Sequence, residues 1–206
     1  MRRINRREFL KIAGLCVIAT IFENGSAFAR RRRIQFGAAK GGLIRPPGAL
    51  EEEDFCRMCI RCGECIKVCP AKCLFPAGVG SGISSWETPV IVPRKAGCIR
   101  CGNCASVCPT GAIEKVPMEI ARMGTATIDR QTCLVWTGQK ECLVCLEYCP
   151  VQAIFKDSKW RPVVDTDRCV GCGVCEQNCP VPGPVAAITV SSHREKRYNL
   201  KENAYR

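Results

Sequence analysis

Residues 98–109 read Cys98-Ile99-Arg100-Cys101-Gly102-Asn103-Cys104-Ala105-Ser106-Val107-Cys108-Pro109, a C-x2-C-x2-C-x3-C-P run. Thiolates are soft ligands for iron, and this spacing is the bacterial signature for holding 4Fe–4S clusters. Its two-residue gaps let a tight loop wrap one face of a cubane. The fourth cysteine lies one helical turn further on and, in two-cluster ferredoxins, serves the neighbouring cluster. The proline behind it stops the helix from running on. The run recurs at Cys59, Cys62, Cys65, Cys69 and Pro70, and again at Cys169, Cys172, Cys175, Cys179 and Pro180. A third group in chain order is altered: Cys133, eight residues, then Cys142, Cys145, Cys149 and Pro150. Cys133 still reads as a ligand, because Ile128-Asp129 stand as far ahead of it as Val164-Asp165 stand ahead of Cys169. These sixteen cysteines are the expected ligands of four 4Fe–4S clusters.

Nineteen cysteines in 206 residues also raise disulfide frameworks and zinc sites. Cysteines three apart bridge each other poorly, and zinc sites come as separated C-x2-C pairs. Neither accounts for a third and fourth cysteine at fixed distances followed by proline. Three cysteines are spare. Cys16 follows Leu15, where a lipid-attachment site wants a small residue. Cys56 and Cys73 flank the first run, and two readings stand open: a disulfide in an oxidising compartment, or buried small apolar side chains near a cluster.

No glycine-rich nucleotide motif and no nucleophile–base pair is present, and the one histidine, His193, reads as solvated. The chain therefore reads as an electron carrier without a substrate site of its own. A net charge of +12 invites nucleic acid. Residues 1–29 hold five basic and two acidic side chains, so nine of those charges fall on the rest. Four oxidised cubanes with their thiolates, each about −2, would cancel about eight. The surplus Lys and Arg offset cluster charge, and no nucleic-acid partner is expected.

Residues 1–29 read as a targeting segment. Asn5-Arg6-Arg7-Glu8-Phe9-Leu10-Lys11 is a twin-arginine motif, residues 12–22 are apolar but too short to span a bilayer, and Ala27-Phe28-Ala29 is a small-x-small cleavage site. Cubanes are built in the cytoplasm, so a cluster protein must be exported folded, which the twin-arginine route permits. A periplasmic location follows. The basic run Arg30 to Arg33 is either a contact to anionic headgroups, at about 1 kcal/mol per charge, or simply a solvated end.

The elements that must position the cysteines are short. Residues 30–55 read as a linker, Gly-, Pro- and Ala-rich over 34–50, followed by a leading helix with acids in its first turn. Strands are expected around residues 89–93, 112–113, 125–129, 151–154, 161–165 and 187–190, and a short helix over 117–123. Trp86 and Trp160 read as core or cluster-covering residues, and the insertion before Cys142 as a bulge offering Trp136 to a partner. The repeat is strand, three-cysteine loop, helix with the fourth cysteine, strand. The fold class is α+β: two small, loop-rich, ferredoxin-like dicluster (βαβ)2 units over 56–124 and 125–190, stabilised by their iron–sulfur clusters, with a polar surface tail over 191–206. The link from Cys149 to Cys169 reads as a hairpin, favouring sequential pairing of the runs; a nested pairing also stands open.

Residues 5–11, Arg45-Pro46-Pro47-Gly48-Ala49, Cys59-Ile60-Arg61-Cys62-Gly63-Glu64-Cys65, Ala121-Arg122-Met123-Gly124 and the expanded third group together resemble the ferredoxin-type NapG/MauM family. The resemblance spans nearly the whole chain. It implies a periplasmic carrier that takes electrons from quinol through a membrane-bound ferredoxin-type partner and delivers them to a periplasmic oxidoreductase. Nitrate reduction, a methylamine-type pathway and other respiratory chains stay open, as does a fixed subunit of a larger respiratory enzyme.

Overall fold

The computed structural model describes residues 42–199. The expected targeting segment, the basic run at 30–33 and residues 200–206 lie outside the described residues.

Helix α1 (Glu52–Met58) opens on Glu52, Glu53 and Asp54 and closes on Arg57, charges that suit the helix dipole at both ends. Its Phe55 is fully buried. Four further helices have only four residues each: α2 (Glu64–Lys67), α3 (Asn103–Ser106), α4 (Val144–Glu147) and α5 (Val174–Gln177). Single turns have no stability of their own. Each carries the third cysteine of its group, Cys65, Cys104, Cys145 or Cys175, and not the expected fourth, which follows two residues past the helix end. Gly63, Gly102 and Gly173 precede three of them with φ of 76°, 75° and 80°, a left-handed turn that glycine makes without steric cost. Before α4 stands Leu143 at φ −129°. The third group thus departs from the others in how its helix begins, as well as in its insertion.

Among the described residues six strands form three antiparallel two-stranded ladders. β1 (Leu74–Pro76) pairs with β2 (Pro89–Ile91), Leu74 opposite Ile91. β3 (Thr125–Ile128) pairs with β6 (Ile188–Ser191), Ile128 opposite Ile188. β4 (Ile154–Lys156) pairs with β5 (Pro162–Val164), Ile154 opposite Val164. In the C-terminal half the outer strands β3 and β6 pair with each other, and β4–β5 is the hairpin between its two cysteine groups. The N-terminal half repeats this plan in reduced form: β1–β2 lies between its cysteine runs, and one bridge, Ala49 to Ile113, replaces the outer ladder. Between them lies a core in which Leu50, Phe55, Leu74, Ile91, Ile113, Ile154, Ile188 and Val190 pack among the cysteines.

Several expectations are corrected. Residues 44–50 are buried throughout and are no linker. Arg45 is the reason: only 1% exposed, it donates from Nε to Glu52 Oε2 at 3.0 Å, and from Nη1 to Thr88 Oγ1 at 2.7 Å and the Pro89 carbonyl at 2.9 Å. Burial works to raise the Glu52 pKa, but the hydrogen bond and charge of Arg45 outweigh it and hold the carboxyl below its usual value. The tail beyond residue 191 is not a surface extension over its described length. The Tyr198 N–H donates to the Ala49 carbonyl at 3.3 Å, and the Glu51 N–H to the Tyr198 carbonyl at 3.0 Å. Residues 117–123 form no helix, because the Arg122 carbonyl accepts from Lys196 and the Met123 N–H donates to the Val170 carbonyl. Trp86 and Trp160 are 47% and 65% exposed and cover no core; Lys156 Nζ stacks on the Trp160 ring at 3.6 Å.

Candidate iron–sulfur centres

The sixteen cysteines gather into four clefts. Cys59, Cys62 and Cys65 line one with Cys108, here site 1. Cys98, Cys101 and Cys104 line site 2 with Cys69. Cys133, Cys142 and Cys145 line site 3 with Cys179. Cys169, Cys172 and Cys175 line site 4 with Cys149. Each group lends its last cysteine to its neighbour, first with second and third with fourth.

The clefts enclose about 410, 320, 360 and 300 Å³ for sites 1 to 4, the solvent at their mouths included. Among the described residues no three His, Cys, Asp or Glu side chains converge as one bound ion would require. The thiols ring a space instead, which fits a cage of several irons. All eighteen described cysteines are free thiols.

The backbone turns donors toward the sulfurs. Arg61 and Arg100, between the first two cysteines of their runs, have φ of 57° and 61°, a region non-glycine residues rarely enter. In that conformation the Arg100 N–H donates to Cys98 Sγ at 3.4 Å, and the Arg61 N–H bonds Cys59. Ala126 and Ala153 donate to Cys169 and Cys149 at 3.4 and 3.2 Å. Such bonds favour thiolate and stabilise added negative charge on the ligand set.

Without such help burial favours the neutral thiol. Burial first, then the neighbouring sulfurs, push Cys65 up to about 11, Cys104 to about 12, Cys145 to about 12 and Cys172 to about 11. Four thiolates side by side need cationic iron to hold them together, so loading expels protons.

The eight-residue insertion stays against its own half. Thr137 donates its N–H to the Cys133 carbonyl at 3.0 Å, and Gln139 to that of Leu134 at 3.0 Å. Trp136 is not free for a partner. Its Nε1–H donates to the Pro162 carbonyl at 3.2 Å, and its ring lies under the guanidinium groups of Arg130 and Arg161 at 4.4 and 4.0 Å. The spare cysteines part company. Cys56 sits by Ser85 at 3.7 Å and by Glu52 at 3.5 Å, whereas Cys73 is buried against Cys69 in site 2.

The halves meet at sites 2 and 4. The Cys98 N–H donates to the Cys172 carbonyl at 2.7 Å, and the Gly97 N–H to Gln177 Oε1 at 2.8 Å. A Cβ on Gly97 would come within 2.6 Å of the Val174 nitrogen, so only glycine permits the approach. Arg94 donates from Nη1 to the carbonyls of Glu176 and Cys179 at 3.1 and 2.9 Å, and from Nη2 to those of Val181 and Gly183 at 2.6 and 3.2 Å. Within each half α2 packs on α3 and α4 on α5, bringing Cys65 near Cys104 and Cys145 near Cys175. The sites therefore follow one another in the order 1, 2, 4, 3. Sequence reasoning missed Arg94, Gly97, Gln177 and the place of Cys73. For Cys73 a signal existed: it stands four residues after Cys69, where Ala112 and Ala153 stand four after Cys108 and Cys149.

Comparisons with known proteins point to 4Fe–4S iron–sulfur proteins. Two family models, each described as "4Fe-4S dicluster domain", match the chain, one over residues 58–113 and the other over 97–153 and 139–182. The methylamine utilization ferredoxin-type protein MauM of Methylobacillus flagellatus is 34% identical over 198 residues, covering 86% of this chain and 79% of that protein. The ferredoxin-type protein NapG of Escherichia coli is 37% identical over 171 residues, covering 75% and 73%. MauM of Paracoccus denitrificans is 34% identical over 192 residues, covering 86% and 84%. The Arg45–Ala49 and Ala121–Gly124 segments, on which the sequence resemblance rests, pack into the fold through Arg45 to Thr88 and Met123 to Val170. With its paired cysteine groups and this similarity along most of its length, the chain belongs to the ferredoxin-type MauM/NapG family of iron–sulfur proteins.

Proposed function

We propose that this protein is a periplasmic electron relay holding four 4Fe–4S clusters in two ferredoxin-like (βαβ)2 dicluster units, residues 56–124 and 125–190. The observation that carries the reading is the fourfold grouping of thiols, three from one run and one from its partner. When bound, the clusters supply one-electron storage at each site. The chain's own part is to hold the sites in the order 1, 2, 4, 3, with the Cys98–Cys172 hydrogen bond joining ligand residues of the two halves. Sites 1 and 3 form the ends of the line. Electrons pass from a membrane-bound ferredoxin-type quinol-oxidising protein to a periplasmic oxidoreductase of a nitrate-reductase-like or methylamine-type pathway. The twin-arginine motif at residues 5–11 supports export in the folded, loaded state.

The test is coulometric titration of the anaerobically isolated protein. It is expected to take up about four electrons per chain, one per cluster, and to return them to an outer-sphere oxidant without other chemistry. Uptake of two electrons or fewer contradicts a four-site relay.

A further inference from the structure

Site 2 holds a thiol more than a cluster needs. Five cysteines line its cleft: Cys69, Cys98, Cys101, Cys104 and Cys73. Cys73 is only 1% exposed. Its Sγ lies 3.6 Å from Cys69 Sγ, and Cys98 lines the same cleft. The backbone leaves it little freedom, since the Cys73 carbonyl accepts from Val92 at 3.3 Å where β1 begins. Lys72 ahead of it is left-handed at φ 50°, as Gln152 is at 50° and Gly111 at 72° in the equivalent places.

The chain supplies its own control. Position four after the last cysteine is Ala112 in the second run and Ala153 in the third group, both buried to 1% or less. At Cys149 the contact comes from a backbone N–H, Ala153 to Cys149 at 3.2 Å, and at Cys108 the Thr110 hydroxyl lies 3.7 Å from the sulfur. At the first run a thiol replaces the methyl group and brings a side-chain donor to the same sulfur.

We propose that Cys73 is a tuning residue for the cluster of site 2, donating its single S–H to the ligand sulfur of Cys69. It is not itself a ligand. A donor at a ligand sulfur stabilises the extra negative charge that reduction places on the ligand set, and so raises the reduction potential. Cys98 is also the residue whose N–H reaches Cys172 in the other half. The tuned site is therefore the one through which electrons cross between the halves. This inference rests on the four-cluster reading above.

The experiment is a potentiometric titration followed by EPR on the full, anaerobically isolated protein, with iron counted on the same samples. Cys73→Ala reproduces the side chain at Ala112 and Ala153 in the second and third groups, so it is expected to fold and to keep the iron content of the wild type. One midpoint should move to lower potential by more than the scatter between duplicate titrations, with the others unmoved. Cys73→Ser keeps a donor and should fall between the wild type and C73A. Four unmoved midpoints in C73A, or a C73S midpoint at or below that of C73A, overturns the proposal. A loss of about a quarter of the iron in C73A also overturns it, by making Cys73 a ligand. A wild type without four clusters overturns instead the reading on which the proposal rests.

Discussion

Cys59→Ala combined with Cys108→Ala is expected to cost one cluster, while Cys59→Ala combined with Cys69→Ala costs two. The reason is the crossing of ligands. Cys108 belongs by sequence to the second run but lines site 1 with Cys59, Cys62 and Cys65. Cys69 belongs to the first run but lines site 2. Removing Cys59 and Cys108 damages one set of four twice, so about four irons are lost of about sixteen; removing Cys59 and Cys69 damages two sets, so about eight are lost. Ligation within each run predicts the reverse pattern. Alanine is the right replacement because a serine oxygen can still bind iron. Iron analysis of the two purified double variants decides the matter.

Removing the iron is expected to unfold the described part of the chain. The ladders are three or four residue pairs long, and two-stranded ladders are marginal in water by themselves. The four short helices are single turns, each held by the cysteine it carries. The thiols occupy much of the space an apolar core would fill. A structural metal site contributes on the order of 10–16 kcal/mol in small metal-folded domains, and whole domains have net stabilities of about 5–15 kcal/mol. Losing four sites therefore removes more than the folded state has to spare. Amide exchange before and after chelation checks this: protection across β3–β6 and β4–β5 should vanish, and return on rebuilding with iron and sulfide. An apo chain that keeps a cooperative melt contradicts it. Acidity acts in the same direction. Iron binds thiolate, and a cysteine of the unfolded chain is mostly a neutral thiol at neutral pH. Protons compete with iron, so loading weakens as pH falls and strengthens as it rises.

The spacing of the cysteines was enough to sort them into groups, because that spacing is set locally by the reach of a loop around one cubane. The matching strand and Asp129 also grouped Cys133 across its insertion with Cys142 and Cys145, beside which the structure places it. The packed role of residues 44–50 was not, since Pro46, Pro47 and Gly48 look like a linker until Arg45 is seen bonded to Thr88, forty-three positions away. Strand β1 was missed because Leu74-Phe75-Pro76 is too short to show alternation and ends in proline. Tyr198 was hidden for a similar reason: its backbone, and not its side chain, pairs with Ala49 and Glu51. The tryptophans misled because a large aromatic ring suggests a core, while the cysteine clefts are walled here by Ile, Leu, Val, Pro and Ala, with Phe55 at site 1. The order of the four sites depends on Gly97 meeting Val174 and on Arg94 reaching four carbonyls of the other half. No local pattern carries such contacts.

The most direct test is the inorganic content of the native protein isolated without air. The account predicts brown protein with about sixteen irons and about sixteen acid-labile sulfides per chain, bleached by dithionite. Colourless protein, or protein holding zinc and no labile sulfide, would contradict it.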